Sequence, residues 1–308
     1  MKTISFFSYK GGAGRSTLSY NVIPILAAEH FRPTAERPMI IVDTDVDSCG
    51  MSYLLGKAEE VTATNCIQYL LANGMDTRHF NSVQEHPFLG KLLPVGNAFG
   101  YYDDRAILLL PAMDNKVIGA NAKNNYTDGG VPFMDTFQSF LDVCEEDYDL
   151  PAVIIDSSVG NTATANVSNE CADIIVCCMR PTRQFVNGTR RFLHGMENRE
   201  KMYSSGKHVI LVPNVIPQER IYLDNALYPQ TAVDNIRISF TSDFSGSKLY
   251  NYHFDMLDPM EFGIPAVKRF MWREDMLYSL KTLDETEQEA LSRYRKLACV
   301  IDEIELPG

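Results

Sequence analysis

Long apolar runs are missing from this sequence. No stretch approaches the roughly 20 consecutive apolar residues that a membrane-spanning helix needs, and the run from Ile107 to Leu110 is far too short. Lys2 is followed by a predicted strand, not by the long apolar run and cleavage site of a signal peptide. We therefore expect a cytoplasmic protein without a membrane span.

Paired cysteines at metal-binding or redox spacing are also missing. The chain has seven cysteines, and none forms a C-x-x-C pair. An odd number of cysteines in an apparently cytosolic protein argues against a disulfide framework. The cysteine spacing also shows no zinc or iron–sulfur signature. Cys177 and Cys178 lie in an apolar run, where cysteine packs as a small hydrophobic residue.

A surplus of positive charge is lacking as well. The chain has 28 Lys and Arg against 40 Asp and Glu, a formal net charge of −12. This excludes a polycation that binds nucleic acid through its overall charge. Two local basic clusters exist, at Arg183, Arg190 and Arg191 and at Lys268, Arg269 and Arg273. Such clusters are usually solvated faces, so non-specific DNA binding is left open but not favoured.

The length and composition favour a single α/β domain over residues 1–308, since 308 residues with 45% hydrophobic content can bury a substantial core. Leu92 to Val95 and Ala106 to Leu110 are candidates for short strands, and Gly119 to Gly130 is typical of an exposed loop. A helical pattern at about 285–304 predicts a C-terminal helix docked on the domain. Ile236 to Phe240 alternates apolar and polar residues, which predicts a last strand.

The most informative motif lies at residues 9–16, which read Tyr-Lys-Gly-Gly-Ala-Gly-Arg-Ser. A predicted strand precedes this glycine-rich loop and a predicted helix follows it, which is the context of a phosphate-binding loop. Glycine lets backbone N–H groups approach phosphate oxygens without a Cβ in the way. A chance glycine-rich turn is the alternative. The predicted nucleotide contacts are Gly11, Gly12, Ala13, Gly14, Arg15, Ser16 and Thr17, with Arg15 at the β- and γ-phosphates and Ser16 at Mg²⁺.

Carboxylates follow two other predicted strands. Met39 to Val42 leads into Asp43 and Asp45, and Ala152 to Ile155 leads into Asp156. Beside a nucleotide such carboxylates act through Mg²⁺ and an attacking water. The first group has an alternative interpretation as an acidic turn that caps the next helix.

In this order the three motifs resemble the deviant Walker A ATPases of the ParA/MinD class. The resemblance implies a three-layer α/β P-loop NTPase fold, with a mostly parallel sheet flanked by helices. It also implies ATP and Mg²⁺ as ligands and an ATP-dependent homodimer in which Lys10 reaches the partner's phosphates. The region from about 75 to 132 is long for this class, so the resemblance also implies an insertion there, where we expect contact with a protein partner of unknown identity. In the same class, Asp45 matches the residue that orients the hydrolytic water. The residues that match those at or near the metal ion are Ser16, Asp43 and Asp156. Asn214 matches an asparagine that reads the adenine edge. A simple turn asparagine is the alternative for Asn214.

Two departures from the class pattern affect the expected activity. Arg15 replaces the usual loop lysine, which keeps the charge but changes the contact geometry. Ser157 and Ser158 stand where the class has prolines after the aspartate. We therefore expect an ATPase switch with Lys10, Arg15 and Asp45 as catalytic residues. The alternative is a nucleotide-gated binding module with little hydrolysis. A phosphotransferase like the bacterial tyrosine kinases on this fold is disfavoured, because residues 295–308 contain no tyrosine.

Overall fold

The computed structural model of the chain describes residues 1–113, 130–200, 206–217, 228–258 and 263–306. Within these ranges the strands are β1 (Lys2–Phe7), β2 (Met39–Asp43), β3 (Leu93–Pro94), β4 (Ile107–Leu110), β5 (Ala152–Asp156), β6 (Ile174–Met179), β7 (Lys207–Pro213) and β8 (Tyr250–His253). The α-helices are α1 (Arg15–Ile25), α2 (Gly50–Leu54), α3 (Ile67–Asn73), α4 (Gly130–Asp142), α5 (Ala163–Glu170), α6 (Arg183–Glu200), α7 (Tyr228–Phe244) and α8 (Glu285–Glu303).

The strands form one sheet in the order β3-β4-β2-β5-β1-β6-β7-β8. The pairs β2–β4, β2–β5, β6–β7 and β7–β8 are parallel, and the edge pair β3–β4 is antiparallel. Every residue of β2, β4, β5 and β6 is buried, as expected for strands of a parallel sheet covered on both faces. The predicted α/β fold with a mostly parallel sheet is confirmed.

The chain divides into two compact units, the first with Met1–Ser5 and Leu26–Ala172 and the second with Phe6–Ile25 and Asp173–Gly308. In the first unit, apolar side chains of β2 and β5 pack with those of α4 in one core, for example Val42, Ile155, Phe137 and Phe140. Burial of such side chains is the main stabilising term of a domain this size.

In the second unit, the C-terminal helix α8 packs against α1. Its buried face includes Tyr294, Leu297 and Ile301, which follow helical spacing. The helix begins with a capping box, in which Asp284 accepts from the Glu287 backbone N–H and Glu287 accepts from the Asp284 backbone N–H. None of the helices in the described ranges is both long enough and apolar enough to cross a membrane.

The strand predicted at Ile236 to Phe240 is wrong, because these residues lie inside α7. Ile236, Phe240 and Phe244 are buried while Ile238 is 63% exposed. A strand would bury Ile236, Ile238 and Phe240 on one face, whereas a helix groups residues four apart. The five-residue alternation was too short to distinguish the two periods. The loop predicted at 119–130 lies, except for its last residue, outside the described residues.

Candidate functional site

The glycine-rich loop of the second unit connects β1, which ends at Phe7, to α1, which begins at Arg15. Gly12 and Gly14 have φ angles of 83° and 78°, a region that glycine adopts without the steric cost of a Cβ. The Leu18 backbone N–H donates to the Gly14 carbonyl at 2.9 Å and closes the first turn of the helix. The loop therefore ends at the N-terminus of α1, where the helix dipole favours an anion.

The same loop has room for a ligand. A Cβ added at Gly11 or at Gly12 would meet no heavy atom within 4 Å. There is therefore open space beside these two positions, and the backbone N–H groups of a glycine-rich turn can bind an anion such as phosphate.

Asn214, which lies directly after β7, stabilises the glycine-rich loop through side-chain hydrogen bonds. Its Nδ2 donates to the Ala13 carbonyl at 2.9 Å and to the Gly14 carbonyl at 3.2 Å, and the residue is only 5% exposed. Cys178 Sγ also donates to the Ala13 carbonyl, at 3.3 Å. Asn214 is therefore a structural support of the loop, a role that neither sequence interpretation included. Contact with a base remains a prediction.

The backbone beside Asn214 is strained. Val215 has a φ of 57°, which is unfavourable for a β-branched residue. A Cβ on Gly14 would lie 2.8 Å from Asn214 Nδ2 and 3.3 Å from Val215 Cγ2. Gly14 is thus required both for its φ angle and for the close approach of this segment.

The two cationic side chains of the loop lie in different environments. Arg15 is buried, and its Nη2 donates to Ser16 Oγ at 3.1 Å, so the guanidinium lies beside the hydroxyl predicted to bind Mg²⁺. Lys10 is exposed. Its Nζ donates to Gln184 Oε1, on the first turn of α6, at 2.6 Å.

A cavity of about 740 Å³ opens beside the loop within the second unit. Gly12, Gly14, Thr17 and Asn214 are among the residues that line it, and the size suits a small-molecule ligand. Another part of its wall is formed by residues 265–271 and Tyr294 and is mainly apolar, with Pro265, Ala266, Val267, Phe270 and Met271 beside Lys268. These apolar residues form no motif that would identify them from the sequence alone.

This wall is held by backbone pairing. The Ile216 N–H donates to the Ile264 carbonyl at 3.0 Å, and the Ala266 N–H donates to the Ile216 carbonyl at 2.8 Å. Arg269 forms ion pairs with Glu287, at the start of α8, and with Asp275. These contacts connect the cavity wall to the segment that follows β7 and to the C-terminal helix.

The first unit contains the predicted acidic residues. Asp43 and Asp156 are register partners at the ends of the parallel strands β2 and β5, and both are completely buried. Burial raises the pKa of Asp43 to about 7, and the nearby charge of Asp156 contributes in the same direction. Asp45 is also buried, and its Oδ1 accepts from the Ser48 N–H at 3.4 Å.

Asp43 has a clear structural role. Its Oδ2 accepts from the Ser52 N–H at 3.0 Å and from Ser52 Oγ at 2.9 Å, and its Oδ1 accepts from the Asp45 N–H at 3.1 Å. The N-cap of α2 is Cys49, without a side-chain cap hydrogen bond, so Asp43 supports the first turn of α2 through Ser52 without being its N-cap. The metal contacts of Ser16, Asp43 and Asp156 stay predictions.

The serines after β5 belong to a hydroxyl network. Ser158 Oγ lies 2.7 Å from both Thr162 Oγ1 and Thr164 Oγ1, and Thr162 caps α5 by accepting from the Ala165 N–H. This segment is thus held by hydrogen bonds where prolines were expected from the class pattern. No group of three or more His, Cys, Asp or Glu in the described part of the chain could hold a metal ion by itself.

The sequence matches no protein-family model, and no curated protein matches it significantly. Solved structures do match the fold. The Cyanothece McdA–ATP complex has a TM-score of 0.63 and 13% identity, with 99% of each chain covered. The MinC:MinD cell division protein complex of Aquifex aeolicus has a TM-score of 0.60 and 16% identity, over 100% of this chain and 99% of that one.

A third match is cobyrinic acid a,c-diamide synthase from Mycobacterium smegmatis with bound ADP and magnesium. Its TM-score is 0.58 at 15% identity, over 97% of this chain and 93% of that one. The chain therefore has the fold of the ParA/MinD-like P-loop ATPases, which confirms the resemblance inferred from the motifs at the level of fold. One fold can host different activities, so the function must be argued from the residues.

Proposed function

We propose that this chain is an ATPase switch that binds ATP with Mg²⁺ and dimerises in the ATP-bound state. The observation that carries the proposal is the open glycine loop at the N-terminus of α1, beside a cavity of about 740 Å³. Phosphates fit the loop and a base fits the cavity. The likeness to an ATP complex and to an ADP–magnesium complex of the same fold supports this ligand class.

The loop residues bind and orient the nucleotide in this proposal. Arg15, already held beside Ser16 by a hydrogen bond, contacts the β- and γ-phosphates. Ser16 and Asp156 would hold Mg²⁺, with Asp156 acting through water, and Asp43 would lie on the metal side of the site while it also supports the end of β2. When bound, Mg²⁺ neutralises charge on the β- and γ-phosphates.

Hydrolysis and dimerisation use two further residues. Asp45 orients the attacking water, so its carboxylate positions the nucleophile and is not a ligand of the metal ion. Lys10, the exposed cation of the loop, contacts the phosphates of the partner subunit. The nucleotide state would then gate a protein-binding surface, for which we propose the region from about 75 to 132.

The first test compares nucleotide binding with turnover. Trp272 is the only tryptophan, is 85% exposed and follows the cavity-lining residue Met271, so its fluorescence can report binding. We expect wild type to bind ATP and to release phosphate, and Asp45→Ala to bind ATP without turnover. Tight binding without turnover in wild type would favour the binding-module alternative, and no ATP binding would refute both.

The second test is the mass in solution by light scattering with ADP and with ATP. Wild type should dimerise with ATP only, and Lys10→Ala should stay monomeric. Lys91→Ala, which removes another exposed lysine, is the control and should dimerise like wild type. A monomer under all conditions would refute the dimer.

A further inference from the structure

The segment that carries Lys10 packs tightly on one helix of the second unit. The ring of Tyr9 lies on α6 at Gly188, where an added Cβ would fall 2.0 Å from Tyr9 Cδ1 and 2.3 Å from Cε1. Real Cβ atoms do not approach other atoms this closely, so no other residue at position 188 fits the ring as it lies. Glycine also weakens a helix interior, so its presence in the second turn of α6 is best explained by its packing against Tyr9.

A second contact lies one turn away on the same helix. Gln184 precedes Gly188 by four residues, so the two positions share a face of α6. Gln184 Oε1 accepts from Lys10 Nζ at 2.6 Å. Tyr9 is thus fixed through its ring and Lys10 through its ammonium group, although Lys10 itself is exposed.

We infer that Gln184 and Gly188, here called the α6 seat, position Lys10 for contact with the partner subunit's nucleotide. This inference rests on the proposed function. An exposed lysine loses much rotamer freedom when it binds a phosphate, and holding it in advance lowers the entropy loss on association. An ammonium group has three N–H donors, so the bond to Gln184 leaves two for phosphate oxygens. Gln184 and Gly188 are positioning residues that act through Tyr9 and Lys10.

The test separates dimerisation from nucleotide binding, with AMPPNP as the probe so that hydrolysis does not interfere. In Gly188→Ala the new methyl group displaces the Tyr9 ring. We expect the dimer dissociation constant with AMPPNP to rise about tenfold, because misplacement by about 1 Å is enough to lose such contacts. The affinity of the monomer for AMPPNP, read from Trp272 fluorescence, should stay within about twofold, since Gly188 does not line the cavity.

Matched variants exclude a general folding defect. Gly246→Ala adds the same methyl group where nothing lies within 4 Å and should dimerise like wild type. Gln184→Leu keeps the side-chain size but removes the acceptor, and should also weaken the dimer. The double variant Tyr9→Ala/Gly188→Ala should be no worse than Tyr9→Ala alone, because both changes act through one ring.

The outcomes distinguish this inference from the proposed function. If Lys10→Ala dimerises like wild type, the contact of Lys10 with the partner subunit's nucleotide is refuted, and the positioning role of the α6 seat is refuted with it. If Lys10→Ala loses the dimer while Gly188→Ala and Gln184→Leu both dimerise like wild type, only the seat is refuted. If Gly188→Ala does not fold, Gln184→Leu and Tyr9→Ala decide the question by the same measurement.

Discussion

Asn214→Ala is the substitution that best tests how the nucleotide loop is held. The change removes two hydrogen bonds to the carbonyls of Ala13 and Gly14, at 2.9 and 3.2 Å, from a side chain that is 5% exposed. A buried hydrogen bond contributes about 1 kcal/mol net, so we expect the free energy of unfolding to fall by about 2 kcal/mol.

The cost should not be much larger, because both carbonyls keep another donor. The Ala13 carbonyl still accepts from Cys178 Sγ, and the Gly14 carbonyl still accepts from the Leu18 N–H. Leaving a buried acceptor with no partner would add the desolvation penalty of that group, and here this penalty is avoided.

Urea unfolding without nucleotide measures the effect, and the matched control is Asn251→Ala. Asn251 is exposed, and its Nδ2 donates to the Gly206 carbonyl at 3.2 Å, so its loss should cost less than about 0.5 kcal/mol. Equal, small effects of the two substitutions would refute the structural role of Asn214.

The same variant separates the two functions considered for Asn214. If it only supports the loop, Asn214→Ala should weaken ATP and GTP binding by the same factor, because the loop contacts phosphates that both nucleotides share. If it also reads the base, the preference for ATP over GTP should decrease. Titrations of Trp272 fluorescence with each nucleotide measure this ratio.

Three further predictions follow from the contacts of single residues. Gly14→Ala should abolish ATP binding, since its methyl group would lie 2.8 Å from Asn214 Nδ2. The control for backbone strain alone is Gly56→Ala in urea unfolding, because Gly56 has a φ of 65° and an added Cβ would meet nothing within 4 Å. The hydrogen bond from Arg269 holds the pKa of Glu287 below its usual value, so the free energy of unfolding should fall as the pH drops below about 4.5. In urea titrations from pH 3 to 7, Glu287→Gln should flatten this decrease, whereas the exposed control Glu285→Gln should not. Ile236→Ala should cost about 2–4 kcal/mol of unfolding free energy, and Ile238→Ala less than about 0.5 kcal/mol; similar losses would restore the strand interpretation of α7.

Much of the fold could be predicted from local patterns. The strands β2 and β5 are continuous apolar runs that end in aspartate, and the C-terminal helix was expected at about 285–304 and is observed at Glu285–Glu303. A continuous apolar run is typical of a strand buried on both faces, and the C-terminal helix has a long periodic pattern. The five-residue pattern in α7 was too short, and its buried face became evident only from the spacing of Ile236, Phe240 and Phe244.

The sequence by itself determined the position of the glycine loop and its chemistry, because glycines, a cation and a hydroxyl at fixed spacing between a strand and a helix define a phosphate-binding turn locally. Only the tertiary structure decided what supports that loop. Asn214 reaches it from about 200 residues away along the chain, Gly188 accommodates Tyr9, and residues 265–271 form the cavity wall. The physical reason is that these contacts depend on which distant segments are buried together, and local conformational preference carries no information about that pairing.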